Sequence, residues 1–219
     1  MTKEEICRRI QEIGIVPAIR VTSADDAFFV ADTIVSGGIP ILEVTMTVPG
    51  ALDVVAGLRQ RHPDVIVGAG TVLDAMTARR CLDAGAMFIT STGFVDAIVD
   101  AARNENVAAI PGALTPTEVM AALSAGADMI KIFPCAAVGG AAYIKALRAP
   151  FPHTQFIAAG GVHQQTAMQF IEAGAAALGI GEDLIPHEAI QSRRPDWIRE
   201  LAHRFLGMVQ RARTEKAPR

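Results

Sequence analysis

The chain has 219 residues, 51% of them hydrophobic and 20% charged, which suits one folded domain with a substantial core and not a disordered chain. A formal net charge of −3, with lysine and arginine scattered along the chain, offers no basic stripe for nucleic acid. Three cysteines without paired spacing, Cys7, Cys81 and Cys135, argue against a disulfide framework and for a reducing compartment, the cytoplasm.

Residues 1–14, "MTKEEICRRIQEIG", mix charges with apolar residues at helical spacing, which predicts an N-terminal helix and not an export signal. Nowhere does an apolar run approach the roughly 20 residues of a membrane span. Short β-type runs follow: "VPAIRV" from Val16, "PILEVTM" from Pro40, "VIVGAGTV" from Val65, "MFITST" from Met87 and "AAIPGA" from Ala108. "LTPTEV" then signals a helix start, with Thr115 as N-cap, Pro116 at the first helical position and Glu118 completing a capping box. Three more strands are predicted at "MIKIFP" from Met129, "QFIAAGG" from Gln155 and "AALGIGE" from Ala176. A short helix is expected at "EDLIPHEA", and residues 211–219, "RARTEKAPR", read as a flexible basic tail.

Successive strand starts lie 21 to 26 residues apart, room for a strand, a three-turn helix and two short loops. "DAGAMFI", "SAGADMI" and "EAGAAAL" repeat one phrase, putting Gly85, Gly126 and Gly174 where a helix stops before a strand. Eight strands apolar on both faces, each followed by a helix, predict a single-domain α/β fold over 1–219, a (β/α)₈ TIM barrel with an extra N-terminal helix. An open doubly wound sheet is the alternative, but no G-x-G-x-x-G follows the first strand.

Barrel strands turn alternate residues inward, and chemistry collects at their C-terminal ends. Three ionisable residues interrupt the strands: Arg20, Glu43 and Lys131. As a purely structural ion-pair network they would contribute little, because desolvation roughly offsets the attraction. The functional alternative makes Lys131 a nucleophilic amine able to form an imine with a ketone, with Glu43 beside it to move protons.

The stretches "ILEVTMTVPGA", "VGAGTVLD", "IPGALTPTEVMAAL" and "MIKIFPCAAVGGAAYIKALRAPFP" resemble the class I aldolases that cleave 2-keto-3-deoxy-6-phosphogluconate (KDPG) and 4-hydroxy-2-oxoglutarate (KHG), over roughly Ile15 to Pro186. The resemblance assigns the Schiff-base role to Lys131 of K-[IL]-F-P and the general acid/base role to Glu43 of E-V-T. It sets Thr71 near the pyruvate carboxylate and Phe133 beside the imine, and implies a homotrimer with pyruvate and an aldehyde as its small-molecule partners. Arg20 would anchor a substrate carboxylate or phosphate. Backbone N–H groups at Gly160 and Gly161, and at Gly179 and Gly181, would receive a phosphate.

The match departs from the family pattern in places. Thr47 stands where several members have a carboxylate-binding arginine, Ala159 replaces a threonine, and Thr92 replaces a proline. Glu182 stands where phosphate-binding members have serine: pointing inward it would repel a phosphate, pointing outward it would leave the site or cap the short helix at "EDLIPHEA", and a phosphorylated substrate is expected to be used less well than in the serine-bearing members. Cys135 is either an oxidisable thiol near the site or a small core residue. The five histidines form no ligand pattern, and neither a metal nor an organic cofactor is expected. Competing readings are a phosphosugar epimerase or isomerase that would not need Lys131, and a non-catalytic ligand-binding barrel.

Overall fold

A computed structural model describes residues 1–216. Nine strands, all parallel, form one sheet in the order β5-β4-β3-β2-β1-β9-β8-β7-β6. They are β1 (Ile15–Ile19), β2 (Ile41–Thr45), β3 (Ile66–Val72), β4 (Phe88–Ser91), β5 (Ala108–Ile110), β6 (Gly112–Ala113), β7 (Ile130–Ile132), β8 (Phe156–Ala159) and β9 (Ala177–Ile180). The two strands at the ends of that order, β5 and β6, are consecutive pieces of chain parted only by Pro111, which has no N–H for the ladder. The ring therefore closes with eight positions, a (β/α)₈ barrel, and the expected fifth strand is split at its proline. Lys131 bridges the break by donating its N–H to the Pro111 carbonyl at 2.9 Å.

Helices α2 (Ala24–Ser36), α3 (Ala51–Arg61), α4 (Ala75–Asp83), α5 (Asp96–Asn104), α6 (Pro116–Ser124), α7 (Ala141–Arg148), α8 (Ala167–Glu172) and α9 (His187–Gln191) follow successive strand positions. The capping box at α6 forms as the sequence predicts, Thr115 receiving the Glu118 N–H and Glu118 reaching back to the Thr115 N–H. Helix α1 (Lys3–Ile13) carries a second capping box, Thr2 with Glu5, and buries Ile6 and Ile10 against the starts of β1, β5 and β9. It plugs the N-terminal end of the barrel, so the other end is left for chemistry.

The last helix, α10 (Pro195–Lys216), corrects the expected tail. It continues well past residue 211, because Val209 and Ala212 are buried and Arg213 donates to the carbonyls of Gln11, Glu12 and Ala176. Residues 217–219 of that expected tail lie outside the described residues.

Inside the barrel, two glycines of β3 make room for larger neighbours. A Cβ on Gly68 would meet the Phe88 ring at 2.4 Å, and one on Gly70 would meet the Glu43 carboxylate at 2.2 Å. Gly68 thus lets a phenylalanine fill the interior, and Gly70 leaves space for a charge.

Candidate active site

Glu43 and Lys131 point into the barrel from β2 and β7, across its axis. Lys131 Nζ lies 3.4 Å from Glu43 Oε1 and 3.5 Å from Thr90 Oγ1, and Thr90 in turn donates to Glu43 Oε2 at 2.9 Å. The Glu43 side chain is only 3% exposed, the Lys131 side chain 12%. The carboxylate is buried with a single short hydrogen bond, and the amine has only long contacts, so the amine is held in place without being consumed by its partner. Phe133 stands over it, the ring centroid 5.8 Å from Nζ.

Above the pair opens a cavity of about 280 Å³ at the C-terminal ends of the strands. Nine of the expected site residues line it: Arg20, Glu43, Lys131, Phe133, Gly160, Gly161, Gly179, Gly181 and Glu182. Glu182 and Asp183 both border the cavity, and both are exposed. Burial raises the Asp183 carboxyl above its ordinary range, His163 opposing and Glu182 adding to the shift. Two carboxylates at this edge weigh against an anion, and the Arg20 guanidinium on the same cavity weighs for one.

Thr47 and Thr71 do not line that cavity; they border a separate depression of about 520 Å³ with Met46, Asp74 and Arg80. Thr71 is linked to the cavity through Arg20, whose Nη2 donates to Thr71 Oγ1 at 3.2 Å. It sits at a register shift between Ala69 and Val72 with φ +56°, a left-handed conformation that a β-branched residue adopts only under strain. Thr47 hydrogen-bonds Thr45 at 2.7 Å, and Thr45 donates onward to the Ile19 carbonyl.

A profile of the aldolase family covering KDPG and KHG aldolases matches residues 6–201. The 2-dehydro-3-deoxy-phosphogluconate aldolase of Pseudoalteromonas atlantica is 34% identical over 86% of this chain and 87% of its own. The KHG/KDPG aldolase of Escherichia coli K12 is 31% identical over 86% and 88%. The chain belongs to the KDPG and KHG aldolase family. Among solved structures, the KDPG aldolase of Legionella pneumophila, with pyruvate captured as a covalent carbinolamine, superposes with a TM-score of 0.80 at 31% identity, covering 87% of this chain and 92% of that one. A native KDPGal structure gives 0.84 at 27% identity over 91% and 96%.

In this aldolase, a lyase by its family, the sequence reading missed Thr90, the hydroxyl that joins both charged groups. A threonine in a strand is ordinary; only its alternation with inward Phe88 marks it. Cys135 is buried, its Sγ 3.6 Å from the Gly140 carbonyl, and burial pushes its thiol up to about 11, so it is a core residue and not a reactive one. Among the described residues no three His, Cys, Asp or Glu side chains gather closely enough to hold a metal ion, and no helix is long and apolar enough to cross a membrane.

Proposed function

We propose that the protein is a class I aldolase that reversibly cleaves a 2-keto-3-deoxy sugar acid, its 6-phosphate or 4-hydroxy-2-oxoglutarate to pyruvate and an aldehyde, which is glyceraldehyde 3-phosphate from the phosphorylated sugar acid and glyoxylate from 4-hydroxy-2-oxoglutarate. The observation that carries this reading is the Lys131–Thr90–Glu43 cluster at the mouth of the barrel, an amine within 3.4 Å of a buried carboxylate. Lys131 Nζ adds to the C2 carbonyl, and loss of water gives a protonated imine. Glu43, directly or through water, takes the proton of the C4 hydroxyl; the C3–C4 electron pair moves toward the imine carbon as the aldehyde leaves. The enamine is reprotonated at C3, and water hydrolyses the imine to release pyruvate.

Thr90 would hold the Glu43 carboxylate at the angle this transfer needs, and Phe133 would cover the imine from water. Arg20 with Thr71 would receive the substrate carboxylate, Thr47 would lie at the outer edge of that end, and Gly160, Gly161 and Gly181 would face the far end of the aldehyde half. Glu182 beside Asp183 supports weaker use of a phosphorylated than of an unphosphorylated aldehyde, the direction a steady-state comparison of the two would read. The unpaired cysteines support a cytoplasmic setting. Exposed Leu73, Met76, Val95 and Met120 leave apolar surface that suits burial between subunits, in keeping with a homotrimer.

Sodium borohydride in the presence of pyruvate tests the chemistry. An adduct of reduced pyruvate on Lys131, absent from Lys131→Ala, is expected in peptide mass spectra. Its absence where a known class I aldolase is trapped would remove the imine and return the cluster to an ion-pair role.

A further inference from the structure

We infer that the site has a second chamber that admits an extended, uncharged aldehyde tail with an apolar end, an acceptor class beyond the short or phosphorylated aldehydes above. This rests on the Lys131 imine reading. A cavity of about 520 Å³, larger than the catalytic one, lies between the β1–α2 turn and the segment from β9 to α9. It shares Ala18, Arg20, Gly181 and Glu182 with the catalytic cavity, so the two are adjoining chambers of one cleft. Its inner wall is apolar, made of Val21, Ile185 and Ile190, each no more than 8% exposed.

Two of the walls are tied together, and one of their charges is paired. Asp26 is hydrogen-bonded to Ser23 and paired with Arg193, and the Arg193 guanidinium lies over the Phe29 ring, tying α2 to the chain after α9. A ready-made apolar pocket with a few polar groups at its mouth suits a small organic ligand. At the junction Glu182 opposes an anionic tail, while Arg20, on the reading above, has its charge engaged by the substrate carboxylate.

Gly181 marks the passage. Its φ lies outside the left-handed region, and a Cβ placed on it would meet only the Ala18 carbonyl, at 3.9 Å. No backbone conformation calls for glycine there; what glycine provides at this point is open space between the chambers. Gly181→Val should therefore narrow the passage without straining the chain.

The test is aldol addition of pyruvate to hexanal and to glyoxylate, followed as the ratio of the two kcat/KM values, with borohydride trapping of the pyruvate imine run on each protein. The wild type should add both aldehydes. Gly181→Val, and independently Gln191→Trp at an exposed position on the chamber wall, should each lower the hexanal-to-glyoxylate ratio at least about tenfold, since even one methylene in an apolar pocket is discriminated by about that much. An imine that forms while hexanal gives no product, or a ratio that neither substitution moves, overturns the second chamber and leaves the aldolase reading standing. No imine at all overturns both.

Discussion

Just before β7, Asp128 accepts a hydrogen bond on each oxygen, from Lys3 Nζ at 2.8 Å and from the Ala109 N–H at 2.9 Å. Further along, in β7 itself, Lys131 faces Glu43 at 3.4 Å, and the nearest other partner is a threonine hydroxyl at 3.5 Å. The residue types are the same, a lysine and a carboxylate, yet the first pair is short and saturated while the second is long and more deeply buried. Short, fully satisfied geometry spends a lysine on structure, clamping α1 to the plugged end of the barrel. Loose geometry at the open end leaves the amine free to attack a carbonyl.

The sharpest break of that contrast removes the reactive amine. Lys131→Ala should abolish imine trapping and lower kcat/KM by about 10³-fold or more, as removal of a covalent nucleophile does. Glu43→Gln keeps the shape and one acceptor but removes the proton carrier, so kcat should fall by about 10² to 10⁴-fold. The imine should still be trappable in that variant, because attack on C2 belongs to Lys131. Loss of trapping in Glu43→Gln would mean that the carboxylate is needed to hold the lysine in place.

Thr90→Val tests the link between the two charged groups. It preserves volume and deletes the hydroxyl that donates to Glu43 at 2.9 Å, so kcat should drop about tenfold, in line with a lost hydrogen bond to a charged group. KM for pyruvate should hardly move. A KM effect without a kcat effect would instead make Thr90 a binding residue.

The barrel was legible because its period is coarse and repeated. Eight apolar runs, the Thr115 capping box and the glycines at 85, 126 and 174 each state a local preference that the fold then uses; all three glycines have positive φ, from 88° to 104°. Lys131 and Glu43 were legible because charge inside an apolar strand is expensive and needs a reason. Thr90 was not, since its type fits any strand, and nothing local says which strand lies opposite β2 and β7. The true end of the last helix was hidden for a similar reason: "RARTEK" is polar by itself, and only Gln11, Glu12 and Ala176, distant in sequence, give Arg213 its partners.

Thr71 carries a smaller effect with opposite signs. Thr71→Gly relieves a β-branched residue at φ +56°, so stability should rise by about 1 kcal/mol while KM for pyruvate increases severalfold. Thermal melting and steady-state kinetics on one preparation would read both. A stability loss would mean that the hydroxyl's bond with Arg20 outweighs the backbone strain.

The smallest change should come from the saturated pair. Lys3→Met removes the cation from Asp128 but leaves the Ala109 N–H bond, and a partly exposed pair of this kind contributes at most about 1 kcal/mol. Activity should stay at the wild-type level, because α1 closes the end of the barrel opposite the cavity. The hydrogen bond with Asp128, ahead of the opposing desolvation, raises the Lys3 ammonium above its usual value near 10.5. Since the folded state holds that proton more tightly than the unfolded one, the pair's contribution is complete below the unfolded value and fades as pH rises through the folded one. The stability gap between wild type and Lys3→Met should therefore be constant from neutral pH to about pH 9 and shrink above pH 10.5 or so, as read from urea midpoints across the alkaline range. A gap that stayed constant through the whole alkaline range would mean that Lys3 stabilises the plug through the packing of its alkyl stem and not through its charge, and the contrast with Lys131 would then rest on burial alone.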